Sequence, residues 1–168
     1  MIEFTRRAHD VVVDHARRGA PAEVCGVLAG RRADEAVDRD RADDVVDRNR
    51  ADDAIDRDRG VVLEARPTDN VADRPETRYR IDPEELFAVV ESIEDDGLEV
   101  VGFYHSHPAG PAEPSGTDVA RATWVDHSYV ICALDGHPFV GSWRWRGDDE
   151  GFEPETVALR DDRTGTRS

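Results

Sequence analysis

Residues 102–118 read GFYHSHPAGPAEPSGTD, with two histidines one residue apart and an aspartate eleven residues after the second. In a strand, residues i and i+2 point to the same face, so His105 and His107 would present their imidazoles side by side while Ser106 points away. The loop PAGPAEP that follows is stiffened by three prolines and is long enough to fold back. The first turn of a helix opening at Ser115 can then bring Asp118 alongside the two rings. Two imidazole nitrogens and one carboxylate oxygen suit zinc, and three protein ligands leave a fourth position for water, which is the pattern of a catalytic site. Each piece also has a plainer reading. A His-x-His pair is common on surfaces, and Ser-x-x-Asp is a capping box in which Asp118 satisfies helix amides. Together the pieces favour a metal, because an apolar strand that aims two polar rings at one place needs a partner for them there.

The elements that must position these residues are legible in the hydrophobic pattern. TRRAHDVVVDHARR, residues 5–18, places Ala8, Val11, Val12, His15 and Ala16 near one helical face, with Gly19 as a stop. EVCGVLAG at 23–30 is apolar and too short for a helix, which predicts a buried strand, and GVVLEARPT beyond it is its expected partner. Between them, at about 31–59, VDRDRADDV, VDRNRADDA and IDRDR repeat with a nine-residue period. With one or two aliphatic positions per repeat, this insertion cannot bury enough surface to offset its ordering entropy. NVADRPETRYRI reads as an irregular connection into a short strand. Asp82-Pro83-Glu84-Glu85 is a helix start with an N-cap acid, a first-turn proline and capping-box spacing, and the helix runs to Gly97. LEVVGFYHSH at 98–107 is β-branched and aromatic, and Pro108 ends it. A capped helix TDVARATWVD, a strand YVICAL, an Asp135-Gly136 turn and a strand PFVGSWRWR follow. Trp143 and Trp145 read as core, Cys25 and Cys132 as core thiols, and His9, His15, His127 and His137 as surface or capping groups. The alternation predicts one α/β domain over 1–160 with a mixed, largely antiparallel sheet flanked by helices, and a flexible tail at 161–168.

Composition bounds the function. The 22 basic residues are all arginine against 38 acidic ones, a formal charge of −16 without a single lysine. Such a surface suits concentrated salt, where screening tempers repulsion and carboxylates hold water. It argues against nucleic acid, which needs a clustered basic face, and against anionic membranes. The apolar runs are strand-length and no charged n-region leads into one at the N-terminus, so a cytoplasmic protein is expected. His-Glu-x-x-His, Gly-x-Ser-x-Gly, a P-loop and Pro-Cys-x-x-Cys are all absent from the sequence.

The order Glu23 in PAEVCGVLAG, then His105-Ser106-His107-Pro108, then Ser115 and Asp118 resembles the JAMM metalloprotease signature of the MPN domain. The likeness extends over NVADRPETRYRIDP at 70–83 and the strands at 128–145. It implies an MPN (JAMM, cytidine-deaminase-like) three-layer sandwich with one zinc ion held by His105, His107 and Asp118. It further implies that Glu23 is the general acid/base, taking a proton from a zinc-activated water and returning it to the departing amine, and that Ser115 helps stabilise the oxyanion. Small prokaryotic members of the family act on ubiquitin-like proteins. The resemblance therefore implies a zinc isopeptidase with ubiquitin-like small archaeal modifier proteins as partners, cut after the C-terminal diglycine from target lysines and linear fusions, a desampylase activity. A peptidase that trims a sulfur-carrier protein to its diglycine is the alternative. A non-catalytic MPN scaffold is a third reading, disfavoured because scaffolds of this kind lack the metal ligands.

Overall fold

A computed structural model describes residues 1–32, 59–135 and 139–161. Strand β1 (Ile2–Thr5) leads into helix α1 (Arg6–Gly19), whose N-terminus is capped by Thr5, its hydroxyl accepting from the Ala8 amide at 3.2 Å. Strands β2 (Cys25–Arg32) and β3 (Gly60–Thr68) pair antiparallel, with Arg31 opposite Val61 and Arg32 opposite Gly60. The strands thus continue to the very residues at which the insertion was expected to begin. The repeats themselves, at 33–58, lie outside the described residues.

Helix α2 (Pro83–Asp95) starts at Asp82, which accepts from the Glu84 and Glu85 amides, and the chain leaves it through Gly97 at φ +72°, a conformation open to glycine without strain. Strand β4 (Glu99–His107), the short helix α3 (Gly116–Arg121), and strands β5 (Ser128–Ala133), β6 (Phe139–Trp145), β7 (Phe152–Glu155) and β8 (Val157–Arg160) complete the described chain.

The eight strands form one sheet in the order β7-β6-β5-β4-β2-β3-β1-β8. It is mixed: β2–β3, β2–β4, β5–β6 and β6–β7 are antiparallel, while β1–β3, β1–β8 and β4–β5 are parallel. β7 and β8 stand at opposite ends of that order although only Thr156 separates them in sequence. A one-residue link spans a few ångströms, so the sheet must curl until its ends approach. The Met1 amine, just before β1, indeed lies 3.6 Å from the Glu155 carboxylate of β7 at the other end of the order. α1 fills one face, its Ala8, Val12, Val13 and Ala16 packing with Ile2, Phe4, Leu28, Val62, Tyr104 and Val130. α2 lies on the other, where Ile93, Leu86, Val89 and Val90 meet Val27, Val100 and Phe103. The result is a helix–sheet–helix layering.

Three local expectations are corrected. The region 69–82 contains no strand; the bond from Val71 N to Arg80 O at 2.9 Å ties its ends, the Thr77 and Arg78 amides both turn back to the Arg74 carbonyl, and the Asn70 side chain takes the Ala72 and Arg80 amides. α3 stops at Arg121 instead of running through TDVARATWVD, because the Thr123 and Trp124 amides donate to the Tyr129 hydroxyl, each at 3.2 Å, in place of helical carbonyls. β1, β7 and β8 were not anticipated; each is only four residues long, and β7 carries Pro154, which an edge strand tolerates. No helix among the described residues is long and apolar enough to cross a membrane.

Candidate metal centre

β4 sits in the middle of the sheet, and its alternation sorts its side chains. Tyr104 packs with α1, whereas Phe103 packs with α2, and His105 and His107 share the Phe103 face. Ser106, between the histidines, points to the α1 side. Its hydroxyl accepts from the Val24 amide at 2.9 Å, and its own amide donates to the Val24 carbonyl at 3.0 Å. These two bonds carry the β2–β4 pairing one step beyond Cys25, which lies opposite His105. Residues two apart share a face, so Glu23 lies beside His107, and it is buried.

The histidine side chains converge with the aspartate. Nε2 of His105 and Nε2 of His107 are 3.0 Å apart, and Asp118 sets Oδ1 3.3 Å from the first and Oδ2 3.4 Å from the second. Zinc bonds of about 2.0–2.1 Å in a tetrahedron put neighbouring ligand atoms about 3.3–3.4 Å apart, so this spacing fits one zinc-sized cation. Among the described residues these three form the group of His, Cys, Asp and Glu side chains able to hold a metal ion, and all three are buried.

Local bonds hold each ligand in place. Nδ1 of His107 is 2.7 Å from the Pro111 carbonyl. A carbonyl only accepts, so Nδ1 carries the proton and Nε2 of the neutral ring turns its lone pair inward, the orientation that a metal requires. The proline loop is itself pinned where the Trp143 indole donates to the Ala112 carbonyl at 2.9 Å. Asp118 serves two ends at once. Its Oδ2 accepts from the Ser115 amide at 2.7 Å and the Ser115 hydroxyl at 2.8 Å, while its own amide donates to Ser115 Oγ at 3.2 Å. The capping box and the approach to the imidazoles are therefore one arrangement rather than rival readings. The Ser115 hydroxyl is engaged with Asp118 here, so donating to a substrate oxyanion would require it to turn.

Electrostatics follow from the crowding. Burial raises the Glu23 carboxyl to about 7, with His107 opposing and Asp118 adding to the rise. For Asp118 burial also works upward, but the two neighbouring imidazoles and the Ser115 amide outweigh it and hold the carboxyl well below the usual range. Burial lowers His105 against the pull of Asp118. At His107 burial is outweighed by Asp118 and the Pro111 carbonyl, and the net shift is upward.

Two contributors have no signal in the sequence pattern. Tyr79 lies flat on His105, ring centroids 4.4 Å apart and planes at 22°, and Asn70 bonds the Glu23 carbonyl at 2.9 Å. Both come from the irregular segment 69–82, where only a count of which groups satisfy the backbone would point to them. Cys25 faces the Thr68 hydroxyl and the Asp69 carbonyl, and burial pushes its thiol, like that of Cys132, up to about 11, so neither is a ready nucleophile. His15 is not a simple surface group: its Nδ1 is 2.8 Å from the hydroxyl of the buried Tyr104. His127 caps the Val125 carbonyl at 2.9 Å and His9 sits 3.6 Å from Asp10, while His137 lies outside the described residues.

Residues 5–146 match the family model described as prokaryotic homologues of the JAB domain. The chain is 40% identical over 156 residues to the desampylase of Haloferax volcanii, covering 90% of this chain and 91% of that protein. It is 34% identical over 122 residues to a probable TtuB-protein conjugate cleaving protease of Thermus thermophilus, covering 73% of this chain and 63% of that one. A JAB1/MPN domain protein from Archaeoglobus fulgidus superposes with a TM-score of 0.52 at 14% identity over 94% of this chain and 97% of that one, a likeness of fold.

Proposed function

The chain belongs to the family of prokaryotic homologues of the JAB domain, and on that premise we propose that it is a zinc-dependent isopeptidase, a desampylase. It releases ubiquitin-like small archaeal modifier proteins from target lysines and linear fusions by cutting after the C-terminal diglycine. The observation that carries this reading is the convergence of His105, His107 and Asp118 at ligand spacing with the buried Glu23 beside them. His105, His107 and Asp118 would hold the ion. Zinc supplies Lewis acidity there, making a water acidic near neutral pH and polarising the scissile carbonyl. Glu23, with a carboxyl near 7, accepts a proton from the attacking water and delivers it to the departing amine. Ser115 turns from Asp118 to stabilise the developing oxyanion. A diglycine tail offers backbone without side chains, which suits a site enclosed by β2, β4 and the 69–82 segment.

The chain's makeup supports the setting. Its acidic, lysine-free composition fits a salt-rich cytoplasm, and both of its cysteines are buried free thiols, as a reducing compartment allows. The layout we propose is a single domain over 1–160 with the repeat region inserted between β2 and β3 and a tail at 161–168.

The test incubates the zinc-loaded chain with a modifier isopeptide-linked to a lysine and, separately, with a modifier bearing extra residues after its diglycine. Mass spectrometry should find a new diglycine terminus from both, lost on chelation and restored by zinc. Cleavage of the extended modifier alone would make the protein a carrier-trimming peptidase. Cleavage of neither, with zinc bound, would overturn the enzymatic reading in favour of a scaffold.

A further inference from the structure

We infer that Asn70 is a positioning residue for Glu23, fixing the proton-transfer group relative to the metal ligands from outside the strands that carry them. The inference rests on the function proposed above. Segment 69–82 has neither helix nor strand, so its backbone groups must be satisfied by other means. A carboxamide offers two N–H donors and two acceptor lone pairs, and Asn70 uses all four. Nδ2 donates to the Glu23 and Arg78 carbonyls, both at 2.9 Å, and Oδ1 accepts from the Ala72 and Arg80 amides, both at 3.0 Å. One side chain thereby replaces the ladder that the segment lacks and fastens it to the end of β2.

Glu23 is held there from both sides. Its amide donates to the Pro75 carbonyl at 2.6 Å and its carbonyl accepts from Asn70, so both of its backbone groups are bonded to this segment. The buried carboxyl follows the backbone it grows from. The same segment places Tyr79 on the His105 ring, and the Tyr79 carbonyl accepts from Arg121 of α3 at 2.9 Å. Asn70 is thus the joint between Glu23 and a segment already referenced to His105 and to the helix that bears Asp118. The ligands themselves rest on β4 and α3 and do not depend on Asn70 for their placement.

This separation gives the test its form. Asn70→Asp keeps an acceptor oxygen for Ala72 and Arg80 and removes both donors. We expect unchanged zinc content, KM within about twofold, and kcat on a linear modifier fusion lower by about 10- to 100-fold, the usual range for a supporting partner. In a Glu23→Gln background the same change should leave the residual turnover where it was, since an effect transmitted through Glu23 has nothing left to act on. If Asn70→Asp does not fold, Asn70→Ser, which keeps one donor, is put through the same comparison. Unchanged kcat, zinc lost in step with activity, or an equal further loss in the Glu23→Gln background would each sink the inference while leaving the isopeptidase reading intact. Full turnover by Glu23→Gln alone would instead remove the assigned role of Glu23 and the inference with it.

Discussion

Two buried polar clusters among the described residues are built on opposite plans. Between β6 and β7, Arg144 sends Nε and a terminal nitrogen to Glu155 Oε1 at 2.9 and 2.7 Å, and Ser142 donates to Oε2 at 2.8 Å. The guanidinium and the carboxylate, each about 95% buried, satisfy each other within the chain, with the half-exposed Met1 amine 3.6 Å from the same oxygen. At the end of β4, two carboxyl groups, Glu23 and Asp118, face two imidazoles with no guanidinium among them, and the inward atoms are nearly all acceptors. A balanced cluster braces a fold, because each member cancels the other's burial penalty. An acceptor-rich cluster is suited to a cation, and the strands that hold it must be fastened by other bonds, as Ser106, Asn70 and Trp143 show.

The contrast is broken most severely by Glu23→Gln. With zinc still bound, kcat should fall by about 10²- to 10⁴-fold, the span of general acid–base catalysis, while thermal stability stays close to the parent. His107→Ala should lose the metal as well, separating ligand from proton carrier by elemental analysis. At the other cluster, Arg144→Met removes the guanidinium from the buried Glu155 carboxylate and leaves it the Ser142 hydroxyl and the Met1 amine, and urea unfolding should show a loss of up to about 3–5 kcal/mol with zinc stoichiometry unaltered. Turnover surviving in the folded fraction would keep the two clusters distinct; parallel loss of metal would merge them.

Zinc sharpens the comparison from the other side. Because the ion binds only the folded site, zinc at about 100 times its Kd should stabilise the protein by about 2.7 kcal/mol, read as a higher melting temperature, and should do nothing for His107→Ala. The smallest effect is on pH dependence. Burial raises the Glu23 carboxyl to about 7, so the base form is populated above that value and is lost as pH falls through it. A bound cation draws the limb downward, so kcat/KM should drop about tenfold per pH unit somewhere at or below 7, and a flat profile there would remove Glu23 as the base.

The parts of this site that were legible in sequence are those governed by a short period. The two-residue spacing of His105 and His107 fixes a shared strand face, and Ser115 with Asp118 spells a capping box whose carboxylate faces the rings. Glu23 is different: nothing in its own neighbourhood marks it, and only the family signature singled it out. Asn70 and Tyr79 escaped because their bonds reach 47 residues back to Glu23 and across to His105 from a segment without periodicity. The over-long α3 shows the converse error, where apolar spacing continued past Arg121 but the Tyr129 hydroxyl captured the amides that would have extended the helix.

The curled sheet has a consequence for the order in which the protein can be made. A ribosome delivers β2, β4 and α3 before residue 122 has emerged, so Glu23, His105, His107, Ser115 and Asp118 are all present early. The strand that completes the far side of β1 is β8, separated from it by some 155 positions along the chain and linked through Thr156 to the opposite end of the sheet. Contacts of such long sequence separation form late and slowly. A nascent chain halted before Phe152 therefore carries every candidate catalytic residue on a sheet that still lacks β7 and β8.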